Sequence, residues 1–344
     1  MQAVTFQGVG EVRVDDVPVP EPRAADDAVV AIEASGICGS DLHIFHGRHP
    51  VEQGFVIGHE FVGRVIAAGD AVTEVGEGDR VVGCFVTACG NCWFCHHDAY
   101  HKCVDAKIFG HGKISGDLQG AQAEQVLVPH ANLTLRKAPA SISDEAALFA
   151  GDVLGTGYHA VTSAEVGLGD TVAVLGLGPV GLCAVQVAKA AGAAKVIAID
   201  SVPERLEMAR AFGAEPVHLT EEDPRGAVKA ATGGRGVDAA IEAVGHPDAL
   251  EMAIRLTRSA GRLNITGVYG KRIEIHMALL WNKGLKVTSG QANVIAHVDD
   301  VLALIEHGVI DPTPLVTHHM KLSDAPEGYA AYDRREALKI VLTP

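Results

Sequence analysis

The sequence predicts an α/β protein: a doubly wound parallel sheet beside a second, mainly β domain built from both ends of the chain. Three observations carry this. The run VAVLGLGPVGLCAVQVAKAAGAAKVIAID, Val172 to Asp200, reads as strand, glycine turn, helix and strand. Strand-like runs then alternate with helical ones, including Val237 to Glu242 and Arg262 to Thr266. The segment before residue 151 is instead rich in short strands and turns, and the closing EALKIVLTP reads as a strand that must pair elsewhere. These readings place one domain at 152–290 and a discontinuous partner at 1–151 and 291–344.

Taken in order, the central run justifies its elements residue by residue. Val172 to Leu175 form a short buried strand, and an amphipathic helix follows from Pro179 to about Ala191. The strand Lys195 to Ile199 ends in Asp200. Between the first strand and the helix stands G-x-G-x-x-G at Gly176, Gly178 and Gly181, with Pro179 and Val180 opening the helix. This is the dinucleotide fingerprint in its required context. Gly176 permits the tight turn, Gly178 lets backbone approach a pyrophosphate, and Gly181 permits close helix–strand packing. The helix N-terminus favours the anion. Asp200 accepts from ribose hydroxyls and repels a 2′-phosphate, so NAD is the expected cofactor. Capping the helix that opens at Ser201-Val202-Pro203 is its alternative role. Arg205, one turn into that helix, is placed to reach the adenosine ribose.

The strand-rich part carries ACGNCWFCHHDAYHKC, with cysteines at 89, 92, 95 and 103. Cys89, Cys92, Cys95 and Cys103 suit a tetrahedral four-sulfur zinc site, which is structural because no coordination position stays open. Two disulfides are disfavoured in a chain that reads as intracellular. A ferredoxin-type run places its fourth cysteine after three residues and before proline, whereas here seven residues intervene and Val104 follows. Cys84 and Cys183 read as small core residues.

Catalytic zinc needs three protein ligands and one exchangeable position. GICGSDLHIFHG and GHEFVGRV supply Cys38 and His59 as candidates, with Glu60 or Asp152 as the third. Adjacent strand residues point to opposite faces, which disfavours His59 and Glu60 together. Asp152, at the entry to the nucleotide domain, would then reach across to the other two.

Composition sets outer limits. A chain of 344 residues, 48% apolar, fits about two globular domains. A formal charge of −15 argues against nucleic acid as partner. The N-terminus MQAVTFQGVG lacks a basic region followed by a long apolar run, and no stretch reaches the ~18 apolar residues of a membrane span. A cytoplasmic enzyme with no membrane partner is expected.

Together GICGSDLH, GHEFVG, GDRV, the four-cysteine lobe, DVLGTGYHA and GLGPVG resemble the zinc-containing medium-chain alcohol dehydrogenases over nearly the full length. The resemblance implies a GroES-like catalytic domain joined to a Rossmann domain, two zinc ions per chain, and a homo-oligomer, a tetramer before a dimer. It implies Cys38, His59 and Asp152 as catalytic zinc ligands and Glu60 as a glutamate beside the metal. Asp41 would orient His59. Ser40 would touch the substrate oxygen, and His43 would pass its proton to solvent. Thr156, Gly267 and Val268 resemble nicotinamide contacts, and Phe85 a wall of the substrate pocket. Gly39 stands where animal members often carry a basic residue, and Asp152 where they carry cysteine; both features resemble bacterial and polyol- or threonine-acting branches. The expected reaction is reversible oxidation of primary or secondary alcohols with hydride transfer to NAD+. A polyol, sugar-alcohol or threonine dehydrogenase is the alternative within the family. A non-catalytic nucleotide-binding redox sensor is the alternative outside it, and that reading predicts a missing ligand or relay group.

Overall fold

The computed structural model describes residues 1–344 and divides into two compact units, Met1–Gly155 with Asn293–Pro344, and Thr156–Ala292. The first crossing thus falls after Gly155 rather than before Asp152, so Asp152 shares a unit with Cys38 and His59.

In Thr156–Ala292 six strands form one wholly parallel sheet. Their order is Glu215–His218, Lys195–Asp200, Thr171–Leu175, Val237–Glu242, Thr257–Ile265 and Lys286–Ser289. The order reverses beside Thr171–Leu175, which makes the carboxyl end of that strand the topological switch point. All five of its residues are buried, as a strand covered on both faces requires. The helix Pro179–Ala190 departs from the amphipathic expectation, since every residue from Gly181 to Ala188 is buried. The reason is a second covering helix: a Cβ on Gly157 would lie 2.9 Å from the Cβ of Cys183 and the amide of Ala184. Another difference is the strand expected at Arg262, which begins at Thr257.

In the other unit a seven-stranded sheet is centred on Ala28–Ile37. This long strand pairs with Phe61–Ala68 and Gln125–Val128, and through Ile37, Gly36 and Ser35 with the C-terminal strand Ile340–Thr343. The C-terminal residues therefore complete a sheet begun by the N-terminal third of the chain. One apolar core lies around Phe61, Phe109, Leu135 and Val65. A second joins the N-terminal hairpin to the helix Ala325–Asp333 through Phe6, Ile44, Tyr329 and Ile340. Cys84 and Cys183 are fully buried, and burial pushes the Cys84 thiol up to about 12. No helix is long and apolar enough to cross a membrane.

Candidate active site

Cys38 directly follows the strand Ala28–Ile37, and its amide donates to Asp41 Oδ2 at 2.9 Å, folding the chain into the short helix Asp41–Phe45. His59 and Glu60 lie just before the strand Phe61–Ala68, not within it, so strand alternation does not govern them. They diverge nonetheless. His59 Nε2 is 3.1 Å from Asp152 Oδ2, and Cys38 Sγ is 3.4 Å from the same oxygen. The three donor atoms lie within 4.8 Å of one another. A zinc tetrahedron with bonds of ~2.0–2.3 Å has edges of about 3.3–3.8 Å, so this triangle is close to one face of such a site.

The electrostatics fit a cation. Burial, then Asp152 and Glu60, raise the Cys38 thiol. Burial also works against a charged His59, yet Asp41 and Asp152 hold its pKa well above the ordinary histidine value. Burial opposes the Asp152 carboxylate as well, and its bond to His59 keeps the pKa low. A buried thiol and carboxylates around one imidazole are short of positive charge. A divalent metal would supply it and displace protons. The mixed sulfur, nitrogen and oxygen donors suit zinc.

Support for His59 comes from a buried chain that begins at Asp41, its expected partner, and continues through Gln122 and Tyr329, which no motif flagged. Asp41 Oδ1 faces His59 Nδ1 at 3.2 Å. Gln122 Nε2 donates to Asp41 Oδ2 at 3.3 Å and to the Gly36 carbonyl at 2.9 Å, and the Tyr329 hydroxyl donates to Gln122 Oε1 at 2.8 Å. Such outer groups fix the orientation of a ligating imidazole.

Glu60 is turned away from this triangle. Its carboxylate pairs with Lys339, and both side chains are fully buried. Burial raises the Glu60 carboxyl against the pull of Lys339. Burial opposes the Lys339 charge too, but Glu60, Cys38 and Asp152 hold its pKa above the ordinary lysine value. The carboxylate fits only because residue 36 is glycine: a Cβ there would sit 2.2 Å from Glu60 Oε2.

Ser40 Oγ is 3.2 Å from His59 Nε2, on the ligand side of the ring. The half-buried His43 ring is not hydrogen-bonded to Ser40. Burial, then Arg48, His46 and His49, lower its pKa, so it stays neutral. Phe85 is buried with its ring 6.3 Å from that of His59. His111, which no motif flagged, sets its ring 5.1 Å from His59, with Nδ1 2.9 Å from the Phe109 carbonyl. His46 is taken up by Asp333 at 2.7 Å.

The second donor set is Cys89, Cys92, Cys95 and Cys103, whose sulfurs also lie within 4.8 Å of one another. Backbone amides reach these sulfurs, as in Cys89 N to Cys103 Sγ at 3.2 Å. Amide hydrogen bonds lower Cys92 to about 6, while burial raises Cys95 to about 12.

At the switch point Gly176 has φ +87°, and a Cβ on Gly181 would lie 1.8 Å from the Gly176 carbonyl. A Cβ on Gly178 would meet nothing within 4 Å, leaving open space at the helix N-terminus where Pro179 and Val180 begin. Asp200 Oδ2 accepts from Leu177 N at 2.6 Å, and Oδ1 from the amides of Ser201 and Val202. It thus ties the glycine loop to the next turn. Arg205 stands in the helix Pro203–Ala211. Gly267 and Val268 follow the carboxyl end of Thr257–Ile265, on the same sheet edge as the glycine loop. Buried Glu242 holds that edge: its Oε1 accepts from Val244 N and Gly245 N, each at 2.8 Å. Thr156 lies in the helix Val153–Ser163.

A parallel sheet with a glycine loop, together with a buried Cys–His–Asp triangle and a four-cysteine lobe, defines a zinc-type dehydrogenase. Comparison with known proteins agrees. Residues 24–140 match the alcohol dehydrogenase GroES-like domain, and residues 179–306 the zinc-binding dehydrogenase domain. An alcohol dehydrogenase from Thermus sp. ATN1 superposes with a TM-score of 0.96 at 42% identity, over 100% of this chain and 99% of that one. A zinc-type alcohol dehydrogenase-like protein of Bacillus subtilis is 37% identical over 379 residues, covering 100% of both chains. An erythritol/L-threitol dehydrogenase of Mycolicibacterium smegmatis is 32% identical, covering 100% of this chain and 98% of its own. The chain belongs to the zinc-dependent medium-chain alcohol dehydrogenase family and is an oxidoreductase.

Proposed function

We propose that the protein is a cytoplasmic, NAD-dependent dehydrogenase of primary and secondary alcohols with two zinc ions per chain, one catalytic and one structural. The observation that carries this reading is the buried triangle of Cys38, His59 and Asp152, three donors that would hold a zinc ion with one position left for an exchangeable ligand. Bound zinc supplies Lewis acidity toward the alcohol oxygen, and NAD+ supplies the hydride acceptor. The residues do the rest. Asp41 holds the His59 ring with Nε2 toward the other donors. Ser40 Oγ would accept the hydroxyl proton as it releases its own, and neutral His43 would take the released proton toward solvent. Cys89, Cys92, Cys95 and Cys103 hold the structural ion.

Asp200 supports NAD over NADP, because its carboxylate stands at the end of the second strand with no cation paired to it. A homo-oligomer, a tetramer before a dimer, belongs to the same proposal. The outer strand Lys286–Ser289 leaves one edge of its sheet unpaired, and Trp281 and Met277 nearby are 80% and 66% exposed.

Phe85 against His59 favours alkyl or aryl alcohols, since each methylene buried there is worth about 0.8 kcal/mol. Of three polar groups that could have read extra hydroxyls, Glu60, His46 and Arg48, two are committed elsewhere, Glu60 to Lys339 and His46 to Asp333. The polyol reading keeps one observation of its own, the His111 ring beside His59. Initial rates with butanol, benzyl alcohol, cyclohexanol, sorbitol, xylitol and threonine decide between them. Higher kcat/KM for any of the last three overturns the alcohol reading, and turnover of none overturns the enzyme reading.

A further inference from the structure

A second candidate site lies on the nucleotide unit, at the sheet edge opposite the glycine loop. A groove of about 230 Å³ opens at the amino ends of strands Val237–Glu242 and Thr257–Ile265. Six cationic side chains line it, Arg225, Lys229, Arg235, Arg255, Arg258 and Lys283, and no acidic one does. The chain as a whole has 43 acidic against 28 basic residues, so this grouping runs against its composition.

Half of the six have structural roles. Lys283 Nζ donates to the carbonyls of Ile254, Arg255 and Thr257 at 2.9, 2.8 and 2.5 Å, closing the C-terminus of the helix Pro247–Leu256. Arg258 pairs with Asp238 at 2.7 Å, and Arg255 with Glu251 at 2.5 Å. The side chains of Arg225, Lys229 and Arg235 form no hydrogen bond or ion pair. Arg225 and Lys229 stand one turn apart on the helix Pro224–Thr232, a like-charge spacing that weakens a helix. Arg235 is carried by a loop in which Gly233, Gly234 and Gly236 all have positive φ. That loop is pressed against the start of the next strand, since a Cβ on Gly236 would lie 2.9 Å from the Arg258 amide. These contacts account for Lys283, Arg258 and Arg255 and leave Arg225, Lys229 and Arg235 without a hydrogen bond or ion pair.

We propose that this groove binds a compact, multiply charged phosphate anion, either inorganic pyrophosphate or the diphosphate of a nucleotide, separately from the dinucleotide loop. Arginine forks match phosphate oxygens in pairs, and lysine adds a point charge. Lys283, Arg255 and Arg258 supply positive potential around the anion while holding the walls.

The test is titration of zinc-loaded enzyme whose dinucleotide site is already saturated with NADH or NADPH, whichever binds more tightly. Pyrophosphate and ADP are the probes, and zinc content is measured before and after. Both should bind once per chain. Arg225→Gln/Lys229→Gln/Arg235→Gln should lower both affinities by at least about tenfold, the loss expected of one charge-assisted contact, with the reduced-cofactor affinity and Tm unchanged. Equal affinities for the two probes assign the groove to phosphates alone, and tighter ADP binding assigns it to a nucleotide. Absence of pyrophosphate and ADP binding to the wild type, or equal binding to the triple variant, overturns the proposal.

Discussion

Replacing Lys339 by methionine isolates what the buried Glu60–Lys339 pair contributes. Both side chains are fully buried, and Glu60 Oε1 has no hydrogen-bond partner. Lys339→Met therefore leaves a buried carboxylate without the ammonium it pairs with. Breaking a buried pair from one side costs about 3–5 kcal/mol, or roughly a 6–20 °C fall in Tm for a unit of this size. Glu60 can reduce the loss by binding a proton, which gives the effect a pH signature. Its folded pKa is already raised by burial, and loss of Lys339 raises it further. A carboxyl with a raised folded pKa favours the folded state fully below its unfolded pKa, and that contribution is lost as pH rises through the folded value. The deficit of Lys339→Met should thus be small near pH 5 and grow toward pH 8. The double variant Lys339→Met/Glu60→Leu should recover most of it, because apolar replacement of a whole buried pair is often neutral. Thermal and denaturant unfolding of the single and double variants at both pH values, at matched zinc content, provide the assay. A loss below about 1 kcal/mol that does not change with pH and is not rescued by the second substitution would refute the reasoning.

The other predictions concern the site directly. Asp152→Ala should give up its catalytic zinc to a chelator at least about 100-fold more readily than Glu60→Gln, with elemental analysis falling from two ions to one; equal retention removes Asp152 from the ligand set. Asp200→Asn should raise the NADP+/NAD+ ratio of kcat/KM by about tenfold by removing one charge, and comparable wild-type values for the two cofactors would already contradict the assignment. His43→Gln should slow alcohol oxidation most at low pH, where solvent base is scarce, on the order of tenfold and less than the roughly 10²–10⁴ of a direct general base. Burial and its cationic neighbours hold the His43 pKa below the ordinary value, so the wild type keeps an unprotonated acceptor further into acid. An unchanged pH–rate profile excludes His43.

Local signals made the nucleotide unit legible. Strand, glycine turn and helix are contiguous in the sequence, and Val237–Glu242 has the expected limits. The candidate metal donors were legible as groups for a similar reason, since sulfur, imidazole and carboxylate stand in short distinctive motifs. What the sequence hid is the company these groups keep. Lys339 lies 279 residues from Glu60, and Tyr329 lies 207 from Gln122. Each sits in a segment whose local pattern speaks only of strand or helix. Their partners are set by sheet register, with Ile340 opposite Ile37, and no periodicity reports such a pairing. Cys183 read as a core residue, but how fully the helix Pro179–Ala190 is buried was hidden, because it depends on what covers the second face.

That register has a consequence during synthesis. The unit Thr156–Ala292 is contiguous, and its strands can pair as soon as they leave the ribosome. The other unit cannot close its sheet until Ile340–Thr343 arrives, nearly fifty residues after Ala292. At roughly 5–20 residues per second, the stretch after Ala292 takes several seconds to make. Throughout that interval Cys38, His59 and Asp152 exist in the nascent chain without Lys339, and Asp41 without Tyr329. A metal taken up then would meet a carboxylate-rich, half-walled pocket. That strand is thus a late checkpoint: its docking delivers the ammonium that pairs with Glu60 and completes the wall beside Cys38.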